Sequence, residues 1–289
     1  MQLRLLNVAV DGGDMRVLLW GTGKRVAVAV HGITASGMSW QAVARHMPPD
    51  WTLAAPDLRG RGHSRDLPGP FGLDAHARDV VAVLRQLGGR AVLAGHSMGA
   101  HVALLARDAH PELVRRLVLV DGGLPPPVPD GTDLDAVLDA TLGPAIARLG
   151  RTFPGTEAYL DFWRAHPALA AHWSPDVEAY ARYDLIGEPG QLRCRAVEDA
   201  VRADGRDVLA EKPFADALQR LTRPTPLLTA PAGMFGTPPP LIPHDVVETW
   251  HGRVPALRPQ VVPETNHYTI LFNREGAAAV SQAIRAAAL

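Results

Sequence analysis

Ser97 is the residue of this chain whose neighbours best suit it to chemistry. It sits in Gly95-His96-Ser97-Met98-Gly99, a G-x-S-x-G pattern. The apolar run 91–94 before it reads as a buried parallel strand, and the Ala/Leu-rich run 101–106 after it reads as a helix. A strand that turns into a helix over so few residues strains the backbone of the central serine. The flanking glycines remove the Cβ atoms that would collide there. The hydroxyl then stands above the sheet edge, and the Met98 N–H falls at a helix start, where negative charge is stabilised. The pattern suits a serine nucleophile; the plainer alternative is a Gly-rich β–α turn that needs only a small residue.

The surrounding elements supply a frame for that turn. Runs 3–10 and 15–20 read as strands joined by a hairpin turn at Asp11-Gly12-Gly13-Asp14. Runs 25–30, 52–55 and 117–120 read as further buried strands, with helices expected over 40–47 and 74–87, the latter carrying Ala77, Val80, Val81 and Leu84 on one face. This alternation predicts an α/β fold with a doubly wound, mostly parallel sheet of about eight strands. From 124 to 223 strand-like runs vanish, and helices are expected over 134–149, 157–165, 175–183, 196–203 and 214–221. Aromatic residues concentrate in that stretch, as expected of a helical cap inserted over the carboxyl edge of the sheet. The sheet resumes at 226–230, followed by a helix at 246–251, a last strand at 259–262 and a closing helix at 276–289. Residues 1–123 and 224–289 are thus read as the core, and 124–223 as the cap.

With 289 residues, a net charge of −1 and 47% hydrophobic residues, the chain can bury one large core and an insertion. The near-neutral balance without a basic run argues against nucleic acid as a partner. Cys194 is the sole cysteine, so no intrachain disulfide forms. The first residues lack a signal-peptide pattern and no apolar run is long enough to span a bilayer. A soluble cytoplasmic protein with a small-molecule substrate and no membrane partner is expected. Neither H-E-x-x-H nor paired Cys/His spacing occurs, so neither a metal nor a cofactor is implied. Proline clusters stand at 125–129 and 238–240.

Four motifs occur in a telling order: His31-Gly32-Ile33 with Trp40, Asp57-Leu58-Arg59-Gly60-Arg61-Gly62-His63-Ser64, the Ser97 pentapeptide, and Asn266-His267. On these the chain resembles the α/β-hydrolase-fold superfamily, as a serine hydrolase with a helical cap. The resemblance covers essentially everything outside the cap. It implies Ser97 as nucleophile and His267, in the loop after the last strand, as the base that a serine hydroxyl needs. It further implies an oxyanion hole from the N–H groups of Met98 and Ile33. His96 and His31 are read as structural.

The third triad member is where the chain departs from the family pattern. The acid usually follows the strand after the cap, yet 231–240 holds no carboxylate. Some enzymes of this fold keep it at the end of the preceding core strand, which points to Asp121. Asp245 is the alternative, although N-capping of a helix accounts for it; a water in place of the acid, or no acid at all, is the remaining one. Asp57 opens a loop organised through Arg59, and Glu264 is too close in sequence to His267 to face its Nδ1.

The implied reaction is hydrolysis of an ester-like acyl bond (carboxylic ester, thioester or lactone) in a small to medium apolar substrate. Trp40, Phe162, Trp163, Tyr183 and Tyr268 are expected to contact that substrate. Hydrolytic C–C cleavage of a diketone would use the same triad. A non-catalytic small-ligand receptor of the same fold is the rival from another class, favoured by the missing acid after the cap. Epoxide hydrolysis and dehalogenation use a carboxylate nucleophile on this fold, so Ser97 argues against both.

Overall fold

The chain begins with a hairpin in which β1 (Leu3–Val10) pairs antiparallel with β2 (Gly13–Trp20), Val10 opposite Gly13. The turn is only Asp11-Gly12, shorter than the four residues expected, and the positive φ of Gly12 (86°) lets the chain reverse in that space. The core continues through β3 (Arg25–Val30), α1 (Gln41–Arg45), β4 (Trp51–Pro56), α2 (Leu73–Gln86), β5 (Ala91–His96), α3 (Met98–Ala109) and β6 (Val114–Val120). Next come α4 (Leu134–Leu149), α5 (Thr156–Arg164), α6 (Pro175–Tyr183), the short pair β7 (Leu185–Ile186) and β8 (Arg193–Cys194), α7 (Glu198–Val208) and α8 (Glu211–Gln219). The chain closes with β9 (Thr225–Thr229), α9 (His244–Arg253), β10 (Leu257–Val261), α10 (Thr269–Phe272) and α11 (Arg274–Ala286).

The computed structural model describes residues 2–126, 128, 131–209 and 211–287. Met1, Pro127 and Pro129 of the first proline cluster, and Ala288 and Leu289 of the expected closing helix lie outside the described residues.

Eight strands form one sheet in the order β1-β2-β4-β3-β5-β6-β9-β10, parallel from β4 to β10 and antiparallel at the β1–β2 and β2–β4 edges. Side chains of a strand alternate between faces. In β3, Ala27 and Ala29 enter one buried cluster with α1 and α11, whereas Val28 and Val30 enter another with α2, α3, α8 and α9. The sheet is therefore covered on both sides, which is why its strands read as continuous apolar runs. Among the described residues no helix is long and apolar enough to cross a membrane.

The chain places β4 beside β3 on one side and β5 on the other, so the winding reverses between β3 and β5. A crevice opens at such a reversal, outside the carboxyl ends of the strands. His31, Ser97 and Asp121 directly follow the last residues of β3, β5 and β6 at that edge.

Two further features differ from the sequence reading. The β7–β8 ribbon lies where no strand was expected, and strands of two residues are too short to leave an alternation. Helix α8, expected in the cap, instead packs on α3, with Phe214 in the cluster beneath the sheet. The helices between β6 and α8, namely α4 to α7, share the opposite cluster, through Leu138, Tyr159, Tyr180 and Val201.

Candidate active site

Ser97 joins β5 to α3 with φ 55° and ψ −127°, a conformation rarely adopted by residues with a side chain. It is enforced by crowding. A Cβ on Gly95 would lie 2.1 Å from the Gly99 carbonyl oxygen, and one on Gly99 would lie 2.2 Å from that of Val30. The pentapeptide thus needs both glycines because the ends of β3, β5 and α3 meet backbone to backbone. The Ser97 N–H donates to Val120 O at 2.9 Å, tying the turn to the end of β6.

The imidazole of His267 stands between Ser97 and Asp121. Its Nδ1 is 2.7 Å from Asp121 Oδ2 and its Nε2 is 3.1 Å from Ser97 Oγ. A carboxylate only accepts, so Nδ1 carries the ring proton and Nε2 is free to accept from the serine hydroxyl. Asp121 is itself fixed: its N–H donates to Leu228 O at 2.7 Å and its Oδ1 accepts from the Ala230 N–H at 3.1 Å. Asp245, by contrast, is exposed on the first turn of α9.

Asn266 explains why the histidine is preceded by an amide. Its Oδ1 accepts from the N–H groups of Tyr268 and Thr269, both at 2.9 Å, and its Nδ2 donates to Ala168 O at 2.9 Å. His96 Nε2 donates to the His267 carbonyl at 2.9 Å, and burial holds its pKa well below the ordinary value, so the brace is neutral. Leu58 N–H donates to His31 Nε2 at 3.0 Å, leaving the His31 proton on Nδ1, which donates to Gly32 O at 2.8 Å. Burial pushes the His31 pKa down to about 3. His101, turned toward the carbonyls of Leu124 and Ser97, is pushed down to about 4 by the same cause.

Gly32 brings the loop after β3 against the serine: a Cβ there would lie 3.2 Å from Ser97 Cβ. Ile33 follows in that loop. Met98 is the first residue of α3, where an N–H has no helical acceptor.

A family model for the alpha/beta hydrolase fold matches residues 28–175. Lipase LipV of Mycobacterium tuberculosis is 33% identical over 189 residues, which are 56% of this chain and 70% of the lipase. N-formylmaleamate deformylase of Pseudomonas putida is 36% identical over 124 residues, 42% of this chain and 45% of the deformylase. The solved E-2-(acetamidomethylene)succinate hydrolase superposes with a TM-score of 0.80 at 21% identity, covering 98% of this chain and 100% of that one. The chain belongs to the alpha/beta hydrolase fold family.

In this alpha/beta hydrolase a cavity of about 200 Å³ opens over Ser97 and His267. Its walls are mainly aliphatic, among them Leu124, Leu138, Leu142, Ile242 and Val246. Among the described lining residues there is no Lys, Arg or Glu. A neighbouring chamber of about 50 Å³ shares Thr34, Thr141, Met234 and Tyr268 with it.

The aromatic residues expected at the substrate divide. Tyr268 lines both cavities, whereas Phe162 and Trp163 line only the smaller one. Trp40 and Tyr183 line neither. Trp40 is fully buried in the core, and the Tyr183 hydroxyl donates to Asp57 Oδ2 at 2.7 Å. The rings of the inserted segment mostly pack on one another, as in Phe153–Tyr159 at 4.8 Å and Trp163–Tyr180 at 5.7 Å. The aliphatic residues that do line the cavity share a helical spacing with ordinary core, so the sequence carried no signal to separate them.

Proposed function

We propose that this alpha/beta hydrolase is a serine hydrolase that cleaves an ester-like acyl bond in an uncharged, largely apolar small to medium substrate. The carrying observation is the hydrogen-bonded series Asp121–His267–Ser97 at the floor of an aliphatic cavity. Ser97 Oγ attacks the acyl carbon as His267 Nε2 takes its proton, and Asp121 holds the imidazole in the accepting tautomer. The N–H groups of Met98 and Ile33 receive the oxyanion, and each such donor contributes about 2.7–4 kcal/mol to the barrier reduction. His267 then protonates the leaving group, activates water against the acyl-enzyme, and regenerates Ser97 as the acid departs. The described residues between 124 and 209 cap the site, since α4 and the end of α7 supply part of the cavity wall.

An ester-like substrate accords with the likeness to a lipase. A doubly anionic substrate, such as the succinate derivative for which the solved relative is named, would meet no Lys or Arg among the described residues lining the larger cavity, and Arg148 of the adjoining chamber is already paired with Asp184.

A fluorophosphonate probe tests the mechanism, and p-nitrophenyl esters of increasing chain length, with lactone and diketone panels, test the substrate class. Stoichiometric labelling of the native enzyme, abolished by Ser97→Ala, with ester turnover above diketone cleavage, is the expected result. Absence of labelling overturns the catalytic reading in favour of a ligand receptor, and preferential diketone cleavage overturns the ester assignment.

A further inference from the structure

Three successive carbonyl groups in the loop after β3 are each held by a donor. Gly32 O accepts from the Ala35 N–H at 3.1 Å and from His31 Nδ1 at 2.8 Å. Ile33 O accepts from Arg61 Nε at 2.9 Å, and Thr34 O accepts from Arg148 Nη2 at 3.3 Å. Both guanidinium groups are buried, Arg61 being 0% and Arg148 3% exposed.

Each arginine is paired with an aspartate of the inserted segment. Arg61 Nη1 lies 2.5 Å from Asp204 Oδ2, on α7. Arg148, itself on α4, places Nη1 2.5 Å from Asp184 Oδ2. Asp204 also accepts from the Gly72 N–H and from His76 Nε2, both at 2.7 Å, which ties α7 to the start of α2. The Tyr159 hydroxyl donates to Asp184.

We infer that Arg61 and Arg148 are positioning residues that make the aim of the Ile33 N–H depend on docking of α4 and α7. This rests on the reading of Ile33 as an oxyanion donor. The Ile33 N–H lies in the peptide plane of the Gly32 carbonyl, which His31 and the Ala35 N–H hold. Arg61 and Arg148 hold the carbonyls of the next two planes, and so fix the chain at Ile33 against which that first plane would otherwise turn. Charge-assisted donors hold a carbonyl more tightly than water does. A buried guanidinium persists only with a compensating charge, so Asp204 and Asp184 are needed for the grip.

Stability alone does not account for the arrangement. A well-packed apolar replacement of a buried ion pair is often as stable or more so, and Arg61 Nη2 is buried without a partner among the described residues. A geometric role explains a charge kept at that cost, because misplacement of a catalytic group by an ångström can lower a rate about 100-fold.

The test is the double variant Arg61→Met/Asp204→Asn, which removes the buried ion pair while the amide oxygen at position 204 can still accept from the Gly72 N–H and His76, beside the single variant Arg61→Lys, which keeps the pair with Asp204 but lacks the fork that reaches Ile33 O. Activity is read with the best p-nitrophenyl ester. Affinity is read with a trifluoromethyl ketone carrying the same acyl chain, whose adduct bears an oxyanion, and with the free carboxylic acid product. The expected result in both variants is a fall in kcat of at least about tenfold with KM and product affinity unchanged. Ketone affinity falls in proportion to kcat/KM.

Wild-type kcat in either folded variant overturns the inference. So does parallel loss of ketone and product affinity, which marks general damage to the cavity. Should the double variant fail to fold, Arg61→Lys alone decides. Failure of the serine-hydrolase reading is seen separately, as absence of fluorophosphonate labelling in the wild type, and this inference then falls with it.

Discussion

Asp121 Oδ2 and His267 Nδ1 lie 2.7 Å apart although 146 residues separate them in the chain. The carboxylate comes from the end of β6 rather than from the segment after β9, and its second oxygen is taken by the Ala230 N–H, so both ends of the acid are fixed.

Asp121→Asn is therefore expected to lower kcat by about 10⁴ by leaving the imidazole in the wrong tautomer, with the fold retained. Asp245→Asn, on the exposed first turn of α9, is expected to leave kcat unchanged. Steady-state kinetics on an ester, with thermal unfolding as a control, compares the two. A large loss in Asp245→Asn and none in Asp121→Asn would reverse the assignment.

Gly122 follows Asp121 and lies against the serine turn. A Cβ there would sit 2.3 Å from Ser97 O and 2.7 Å from Ser97 Cα. These are backbone atoms held between β5 and α3, so they cannot rotate away. Gly122→Ala is expected to displace Ser97, lowering the rate of fluorophosphonate labelling at least tenfold and destabilising the fold by about 1–3 kcal/mol, as overpacking does. A labelling time course beside a urea titration measures both; labelling at the wild-type rate would mean that the turn can yield.

The part of this candidate site legible from local pattern alone is the one tied to backbone geometry. Ser97 between two glycines is marked by its own neighbours, whereas His267 after the last strand and Asp121 at a strand end are implied by the resemblance to α/β-hydrolase-fold chains, with Asp245 as the alternative acid. The cavity wall was not legible. Leu138 and Leu142 repeat at the same spacing as residues facing an ordinary core, and Trp163 is an aromatic whose face only packing decides. The buried pairs Arg61–Asp204 and Arg148–Asp184 were missed for a different reason: nothing in a linear pattern distinguishes an interior arginine from the many at the surface.

Leu142 on α4 is nearly buried and lines the cavity. Truncation at such a site removes packing and leaves space, at a cost of about 2–5 kcal/mol in stability. In Leu142→Ala that space is expected to admit longer acyl chains, shifting the optimum among p-nitrophenyl esters upward by one or more methylenes. Discrimination per methylene in an apolar pocket is about 10–200-fold, so the shift is resolvable in kcat/KM. An unchanged chain-length profile would place the acyl chain elsewhere in the cavity.

Asp57 offers a test through pH. It is fully buried and accepts from the N–H groups of Gly37 and His63, both at 2.8 Å, and from the Tyr183 hydroxyl of α6. Burial nevertheless pushes its pKa up from 3.8 to about 6. The folded chain thus holds this proton more tightly than the unfolded chain does. The group's contribution to stability is fully present below about pH 4 and is lost as pH rises through about 6. Asp57→Asn is neutral at every pH and lacks this contribution. The stability of the wild type relative to Asp57→Asn is therefore expected to fall as pH rises across that window, by up to about 1.4 kcal/mol per pH unit. Urea unfolding of both proteins at pH 4.5 and pH 7 measures the difference and cancels the other titrating groups. A relative stability that instead rises with pH would mean that the three donors outweigh burial and hold the carboxylate ionised.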